Sequence, residues 1–263
     1  MLPDFILTGC DKMTKVILSG CCGKMGKAVT NAVNEKEDIK IVAGVDVFEC
    51  DTLPYPVFPA FNEVACDADV IIDFSNPSAL QSILDYATSH NIPAILCATG
   101  YTDEQNKMIE KASESVAIFR SGNMSLGINL LSELAKAAAK VLGGSFDVEI
   151  VEAHHNLKID APSGTAIMLE KAVADGLDYN PELVYDRHNR SQKRDKHEIG
   201  MHSIRGGTIV GEHEIIFAGN DEIIKLSHTA LSKNVFAVGA VNAAIYMKDK
   251  KSGMYDMSDV ING

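Results

Sequence analysis

Two rhythms of apolar and polar positions divide this chain. In the first part, short apolar runs recur. Lys15–Gly20 (KVILSG) ends in glycine and has the form of a strand buried on both faces. Ile39–Asp46, Val70–Phe74 and Ala94–Ala98 repeat that form. Amphipathic stretches fall between the runs. Met25–Asn34 places Met25, Ala28, Val29 and Ala32 on one helical face. Pro77–Ser89 and Thr102–Ser115 read as helices, with Pro77 in a first turn and Thr102 as an N-cap. Strands alternating with helices predict a parallel sheet covered on both faces.

The rhythm changes near residue 126. A long helix is expected over Leu126–Leu142, stopped by Gly143-Gly144. Phe146–Glu152 alternates with period two, as a half-exposed strand does. Thr165–Leu177 reads as a helix closing near Gly176. His197–Arg205, Thr208–Phe217 and Glu222–Thr229 read as three antiparallel strands, joined by Gly206-Gly207 and Gly219-Asn220-Asp221. Asn234–Met247 is an apolar helix expected to return to the first domain. The pattern predicts an α/β chain in which a nucleotide-type parallel domain precedes a mixed α+β domain. Residues 1–125 with 234–263 form the first and 126–233 the second.

Composition narrows the function. Net charge is −12, which argues against nucleic acid as a partner but allows a local basic pocket for an acidic metabolite. No apolar run approaches the ~20 residues of a membrane span. The six cysteines show no CxxC pair, and the adjacent Cys21-Cys22 makes a poor disulfide framework. Reduced thiols and a cytosolic setting are expected. Residues 1–12 lack a cationic leader and read as an upstream start or a disordered tail.

Gly20, Gly23 and Gly26 lie at three-residue spacing where the first strand meets the first helix. Such a turn lets backbone approach a pyrophosphate at a helix N-terminus. Asp46 ends the second strand, where an acid reaches ribose hydroxyls. Cys22 replaces the middle glycine of the stricter GxGxxG form, and Lys24 is either a phosphate ligand or a solvated cation. Asp73-Phe74-Ser75, Cys97-Ala98-Thr99-Gly100 and Ser121–Ser125 follow other strands at the ligand-binding edge.

The densest chemistry is Glu152–Thr165 (EAHHNLKIDAPSGT). His154, His155 and Lys158 offer groups that hold an anion or move a proton near neutral pH. In a helical turn His154 and Lys158 would share a face. Ser163 or Thr165 caps the next helix, whose free N–H groups suit a carboxylate. A metal site from His154, His155, Asp160 and His188 is disfavoured, because adjacent histidines point apart. No metal is expected. Ser163 lacks a nucleophile elbow, and Cys97, Cys21 and Cys22 read as packed thiols. The basic stretch Arg187–Lys196 reads as a solvated loop, or more sharply as a lid over an anion, with Arg205 a lesser anion candidate.

GCCGKMG at 20–26, SGNMSLGIN at 121–129 and EAHHNLKIDAPSGTA at 152–166 together resemble the 4-hydroxy-tetrahydrodipicolinate (dihydrodipicolinate) reductases of lysine and diaminopimelate synthesis. The likeness covers nearly everything beyond Met13. It implies a Rossmann-type first domain, a second domain that binds substrate and assembles a cytoplasmic homotetramer, and hinge closure. It implies NADH or NADPH as cofactor and a small dicarboxylate as substrate. His154 takes the acid–base position and Lys158 the proton-donor position. His155, Gly164 and Thr165 hold the substrate carboxylate. Gly20, Cys21, Cys22, Gly23, Lys24, Met25, Asp46, Cys97, Ala98, Thr99, Gly122, Asn123, Met124 and Ser125 contact the cofactor. Cys97-Ala98-Thr99 departs from a common Gly-Thr-Thr, and Val47 stands where many members carry arginine, so NADH is expected to serve at least as well as NADPH. The competing readings are another two-domain dehydrogenase of amino-acid metabolism and a non-catalytic nucleotide-sensing module.

Overall fold

The computed structural model describes residues 13–50, 53–188 and 190–263; the expected extension 1–12 lies outside them. The chain forms two compact units. One takes in the described residues to Arg120 with Ala240–Asp256, the other Ser121–Gly239 with Met257–Gly263.

In the first unit, strands β1 (Thr14–Ser19), β2 (Ile39–Val45), β3 (Val57–Phe58), β4 (Val70–Asp73), β5 (Ala94–Leu96) and β6 (Ala117–Phe119) alternate with helices α1 (Lys24–Asn34), α2 (Leu80–His90) and α3 (Asp103–Ser113). Pro77–Ala79 forms a short 3₁₀ turn ahead of α2. The Thr102 hydroxyl accepts the Gln105 N–H and the Gln105 side chain accepts the Thr102 N–H, closing a capping box on α3. Every pairing in this sheet is parallel. The apolar runs are buried as their lack of alternation requires, with Val16, Ile17, Leu18, Ile71 and Ile95 at 0% exposure.

The second unit holds α4 (Leu126–Leu142), β7 (Asp147–His154), α5 (Gly164–Gly176), β8 (Glu182–Val184), β9 (Glu198–Arg205), β10 (Gly211–Ala218) and β11 (Ile223–Ala230). Helix α6 (Asn234–Met247) runs from one unit into the other. Strand β12 (Gly253–Tyr255) pairs with β6, and α7 (Met257–Asn262) ends the chain. The first sheet runs β12-β6-β5-β4-β1-β2-β3. Strand order therefore reverses between β1 and β4, the switch point at which open α/β sheets bind ligands. The short strands β3, β8 and β12 carry too little periodicity to read from sequence.

The second sheet runs β11-β10-β7-β9-β8. This corrects the expectation of three consecutive antiparallel strands. Only β10 and β11 form a hairpin; β7 lies between β9 and β10, parallel to one and antiparallel to the other. Gly206-Gly207 is consequently no hairpin turn. It crosses the end of β7, where the Gly206 N–H donates to His154 O at 2.9 Å and the Asn156 N–H to Gly207 O at 3.2 Å. One face of β7, β9 and β10 carries Val148, Ile150, Ile199, Met201, Ile215 and Phe217, packed against Ile128, Leu131, Ala166 and Leu169 of α4 and α5.

Three arginines of the basic stretch are tied down rather than free in solvent, while His188, Ser191, Gln192, Lys193, Asp195 and Lys196 are exposed. Arg187 binds Glu149 and Glu198, Arg190 binds Glu198 and Glu182, and Arg194 binds Glu149 and Asp147. These acids belong to β7, β8 and β9, so the arginines clamp the sheet face opposite the apolar core. Glu198 is only 3% exposed, and a buried carboxylate needs such partners.

Candidate active site

In the first unit the chain leaves β1 at Gly20, whose φ is +76°. A Cβ there would sit 2.8 Å from the backbone of Phe74 and Ser75, and one on Gly26 would overlap the carbonyl of Gly20. Both positions therefore demand glycine. Gly23 caps α1 without a side-chain hydrogen bond, which leaves the first N–H groups of α1 available to an anion. Lys24 and Met25 open the helix. Asp46, directly after β2, accepts the Cys22 N–H at 2.9 Å through Oδ2 and the Phe48 N–H at 3.1 Å through Oδ1. The acid and the glycine turn thus form one rim at the switch point. Cys97, Ala98 and Thr99 leave β5 further along that edge, with the Cys97 N–H donated to Asp73 O at 2.9 Å. A cradle with no room for side chains, ending in free helix N–H groups, fits a dinucleotide.

The expectation of reduced thiols is corrected here, because Cys22 and Cys50 form a disulfide. Twenty-eight positions separate them in sequence, but they leave the adjacent parallel strands β1 and β2 at the same edge. Spacing along the chain gave no sign of this. Cys21 remains a buried free thiol, its Sγ 3.9 Å from that of Cys22. Burial and the nearby Asp46 charge push it up to about 11, which suits packing rather than nucleophilic work.

In the second unit β7 runs two residues beyond the predicted end, so His154 stands in the sheet rather than in a loop or helical turn. Period two then sets Glu152 and His154 in the same row as Val148 and Ile150. Cross-strand register places His213 of β10 opposite Glu152, and Arg205 of β9 opposite His154. The apolar face therefore ends in a buried polar cluster. Glu152 Oε2 lies 2.6 Å from His154 Nδ1. Arg205 donates to Glu152 Oε2 at 2.9 Å and to Oε1 at 2.8 Å, and the Ser163 N–H donates to Oε1 at 3.2 Å. Burial alone would raise the Glu152 carboxyl, but hydrogen bonds from Arg205, Ser203 and His154 hold it at about 2. Arg205 is thus a partner of Glu152, not an anion site.

His213 meets the Ser163 hydroxyl at 3.2 Å and the edge of the His154 ring at 5.2 Å between centroids. Burial first, then the neighbouring His154, lowers it to about 4, so it is neutral at pH 7. Lys158 leaves a turn closed on His155 O and pairs with Asp160 at 2.9 Å. The His155 Nδ1 is buried without a partner. Ser163 caps α5 by accepting the Ala166 N–H at 3.1 Å, and Gly164 and Thr165 open that helix. Asn123 donates to the Thr165 hydroxyl at 2.9 Å and accepts the Ser125 N–H at 2.8 Å. Gly122, Asn123, Met124 and Ser125, expected at the cofactor, thus lie in the second unit beside the α5 turn. Sequence reading gave Glu152 and His213 no role, although one more period of alternation exposes the first of them.

A glycine cradle that fits a dinucleotide on one sheet and a buried histidine–carboxylate cluster on the other are the marks of a nicotinamide-dependent oxidoreductase with a Rossmann-type domain. Comparison with known proteins resolves the class further. Family models described as dihydrodipicolinate reductase, N-terminus and C-terminus, match residues 14–124 and 127–261. The chain is 51% identical over 250 residues to the 4-hydroxy-tetrahydrodipicolinate reductase of Clostridium novyi, covering 95% of this chain and 98% of that protein. It is 46% identical to the 4-hydroxy-tetrahydrodipicolinate reductase of Clostridium tetani over the same shares. A dipicolinate-bound dihydrodipicolinate reductase from Paenisporosarcina sp. TG-14 shares the fold at a TM-score of 0.77 and 24% identity, over 93% of this chain and 97% of that one. The chain belongs to the dihydrodipicolinate reductase family.

Proposed function

We propose that this enzyme reduces 4-hydroxy-tetrahydrodipicolinate to tetrahydrodipicolinate in lysine and diaminopimelate synthesis, with NADH or NADPH as donor. The net exchange is one hydride and one proton in and one water out. The bound nicotinamide supplies the hydride. The dinucleotide-binding domain, read from sequence as residues 1–125 with 234–263, grips the cofactor through Gly20, Cys21, Cys22, Gly23, Lys24, Met25, Asp46, Cys97, Ala98 and Thr99. Gly122, Asn123, Met124 and Ser125 add contacts from the segment beside Thr165. His154 and Lys158 handle the proton, and His155, Gly164 and Thr165 hold a substrate carboxylate on the α5 N–H groups. A single observation carries the reading: His154 and the α5 N-terminus are tied to one buried carboxylate, Glu152. An acid and an anion cradle are thereby held together, as reduction of a dicarboxylate needs.

Asp46 supports NADH at least as well as NADPH, since a carboxylate accepts ribose hydroxyls and repels a 2′-phosphate. The neighbouring Val47 and Phe48 are exposed and uncharged. We place the enzyme in the cytoplasm as a homotetramer joined through its second sheets; Ile204, on the outward face of β9, is 51% exposed. No described helix is long and apolar enough to cross a membrane.

A coupled assay tests the activity. The substrate is generated in situ from pyruvate and aspartate semialdehyde, and nicotinamide absorbance is followed. Oxidation that depends on both precursors is expected. Absence of turnover with either cofactor overturns the proposal.

A further inference from the structure

Glu152 is an expensive residue where it stands. Its side chain is fully buried at the end of an apolar row in which Val148 and Ile150 precede it. A buried carboxylate rarely contributes net stability over an apolar residue of similar size. Here it collects donors from three elements: β7, β9 and the turn before α5. We propose that Glu152 is a positioning residue for His154, held in turn by Arg205, and that together they fix the ring with Nδ1–H toward the protein and Nε2 free for the substrate proton. The inference rests on the reading of His154 as a proton-transfer group.

Geometry supports each link. An ionised carboxylate accepts but cannot donate, so the 2.6 Å contact makes Nδ1 the N–H donor. The exchangeable site is then Nε2. Gly211 of β10 faces Nε2, and a Cβ there would come within 3.2 Å of it. Glycine keeps that side of the ring open. The Arg205 fork grips both Glu152 oxygens, and its Nη2 also donates to Asp160 O at 2.5 Å. The loop that carries Lys158 is thereby tied to the same carboxylate. In each turnover the N–H bond at Nε2 breaks, its proton passes to the substrate atom that gains the electron pair, and solvent restores it.

The groups beside His154 are Glu152 on its own strand, Arg205 in register on β9 and His213 from β10, and the charge of Lys158, paired with Asp160, acts on His213. His228 of β11 lies beyond His213. Neutral His213 places no second positive charge on the ring. Glu152 is negative and Arg205 positive, so removing each charge should displace the activity profile in opposite directions.

The test uses the full-length enzyme and pH profiles of kcat/KM. Glu152→Gln should lower kcat about 10- to 100-fold and move the basic limb down by about one pH unit, with KM for NADH unchanged. Arg205→Gln should lower kcat about tenfold and move that limb upward. A role in folding alone would lower the melting temperature without opposite displacements. Profiles that coincide with the parent's, or shift in the same direction, overturn the proposal. If Glu152→Gln does not fold, Arg205→Lys keeps the charge and loses the fork: kcat should fall with the limb in place, and an unchanged kcat overturns the positioning role. His154→Gln separates the two levels. Full activity in that variant removes the acid–base reading itself. A large loss there, with Glu152→Gln and Arg205→Gln unaffected, sinks only the positioning.

Discussion

The glycine turn of the first unit and the end of β7 in the second are built on opposite principles. In the turn it is the backbone that is presented. Gly20 and Gly26 clear space, and α1 offers N–H groups that no side chain caps. The cradle is made of backbone, which is why Cys22 can occupy the position that stricter fingerprints give to glycine, although Cys21 is itself buried. At the end of β7 the side chains do the work. Their reach and protonation depend on neighbours that must be buried and paired, so Glu152, Arg205, His213 and Ser163 come with His154. A backbone site tolerates sequence drift if space is kept; a side-chain site tolerates it only if the partners move together.

The largest expected effects separate the two. Lys158→Ala should lower kcat by about 10²- to 10⁴-fold, the range of one general acid, with NADH affinity retained. Gly20→Ala should do the reverse. A side chain at φ +76°, pressed on the Phe74 backbone, should weaken NADH binding about tenfold or more. Steady-state kinetics with nicotinamide fluorescence titration checks both. If Lys158→Ala weakens cofactor binding and spares kcat, the separation of roles fails.

Smaller effects sharpen the picture of the cofactor rim. Asp46→Ser removes the charge that we assign to the ribose and should raise the NADPH-to-NADH ratio of kcat/KM by about tenfold. A parent enzyme that already prefers NADPH tenfold would refute the role given to Asp46. Reduction of the Cys22–Cys50 disulfide frees the segment after Asp46 from the glycine turn. KM for NADH should rise about threefold with kcat unchanged, and Cys50→Ser should abolish the response to dithiol.

These contrasts also explain what could be read from sequence. The parallel sheet was legible because each apolar run meets glycine or a capping residue at its end, as at Gly20 and Thr102. The second domain was legible as a mixture of helix and strand but not as a topology. Local period cannot reveal that β7 inserts between β9 and β10, since pairing depends on partners fifty residues away. The same limit hid the Arg205–Glu152 pair and the clamp of Arg187, Arg190 and Arg194. In each case a charge that looks exposed in sequence is claimed by a carboxylate on another strand. The disulfide escaped for a related reason: Cys22 and Cys50 meet only through the β1–β2 pairing. His154, Lys158 and the Ser163–Thr165 turn were visible because they are contiguous.

The mildest prediction concerns acid stability, where the two units should again part. His213 is buried, and its folded value of about 4 lies below the ordinary 6.5. Between those values the unfolded chain binds the extra proton. The contribution of neutral His213 is therefore complete above about pH 6.5 and lost as pH falls toward 4, a change of about 3 kcal/mol at most. Glu152, held at about 2 against 4.5, extends the loss below pH 4.5 with the same sign. Asp73 in the first unit behaves oppositely. Burial raises its carboxyl, with hydrogen bonds from Ser75 only partly offsetting it. Its protonated form is favoured by folding, so acid relieves a cost there. Melting curves at pH 7.0, 5.5 and 4.5 should show the second unit weakening first. His213→Gln keeps a hydrogen-bonding group near Ser163 and removes the larger titration, so its stability should fall less than the parent's between pH 6.5 and 4.5, the remainder resting on His228, which burial also lowers. A variant that loses stability across that interval as steeply as the parent would show that another group carries the acid sensitivity.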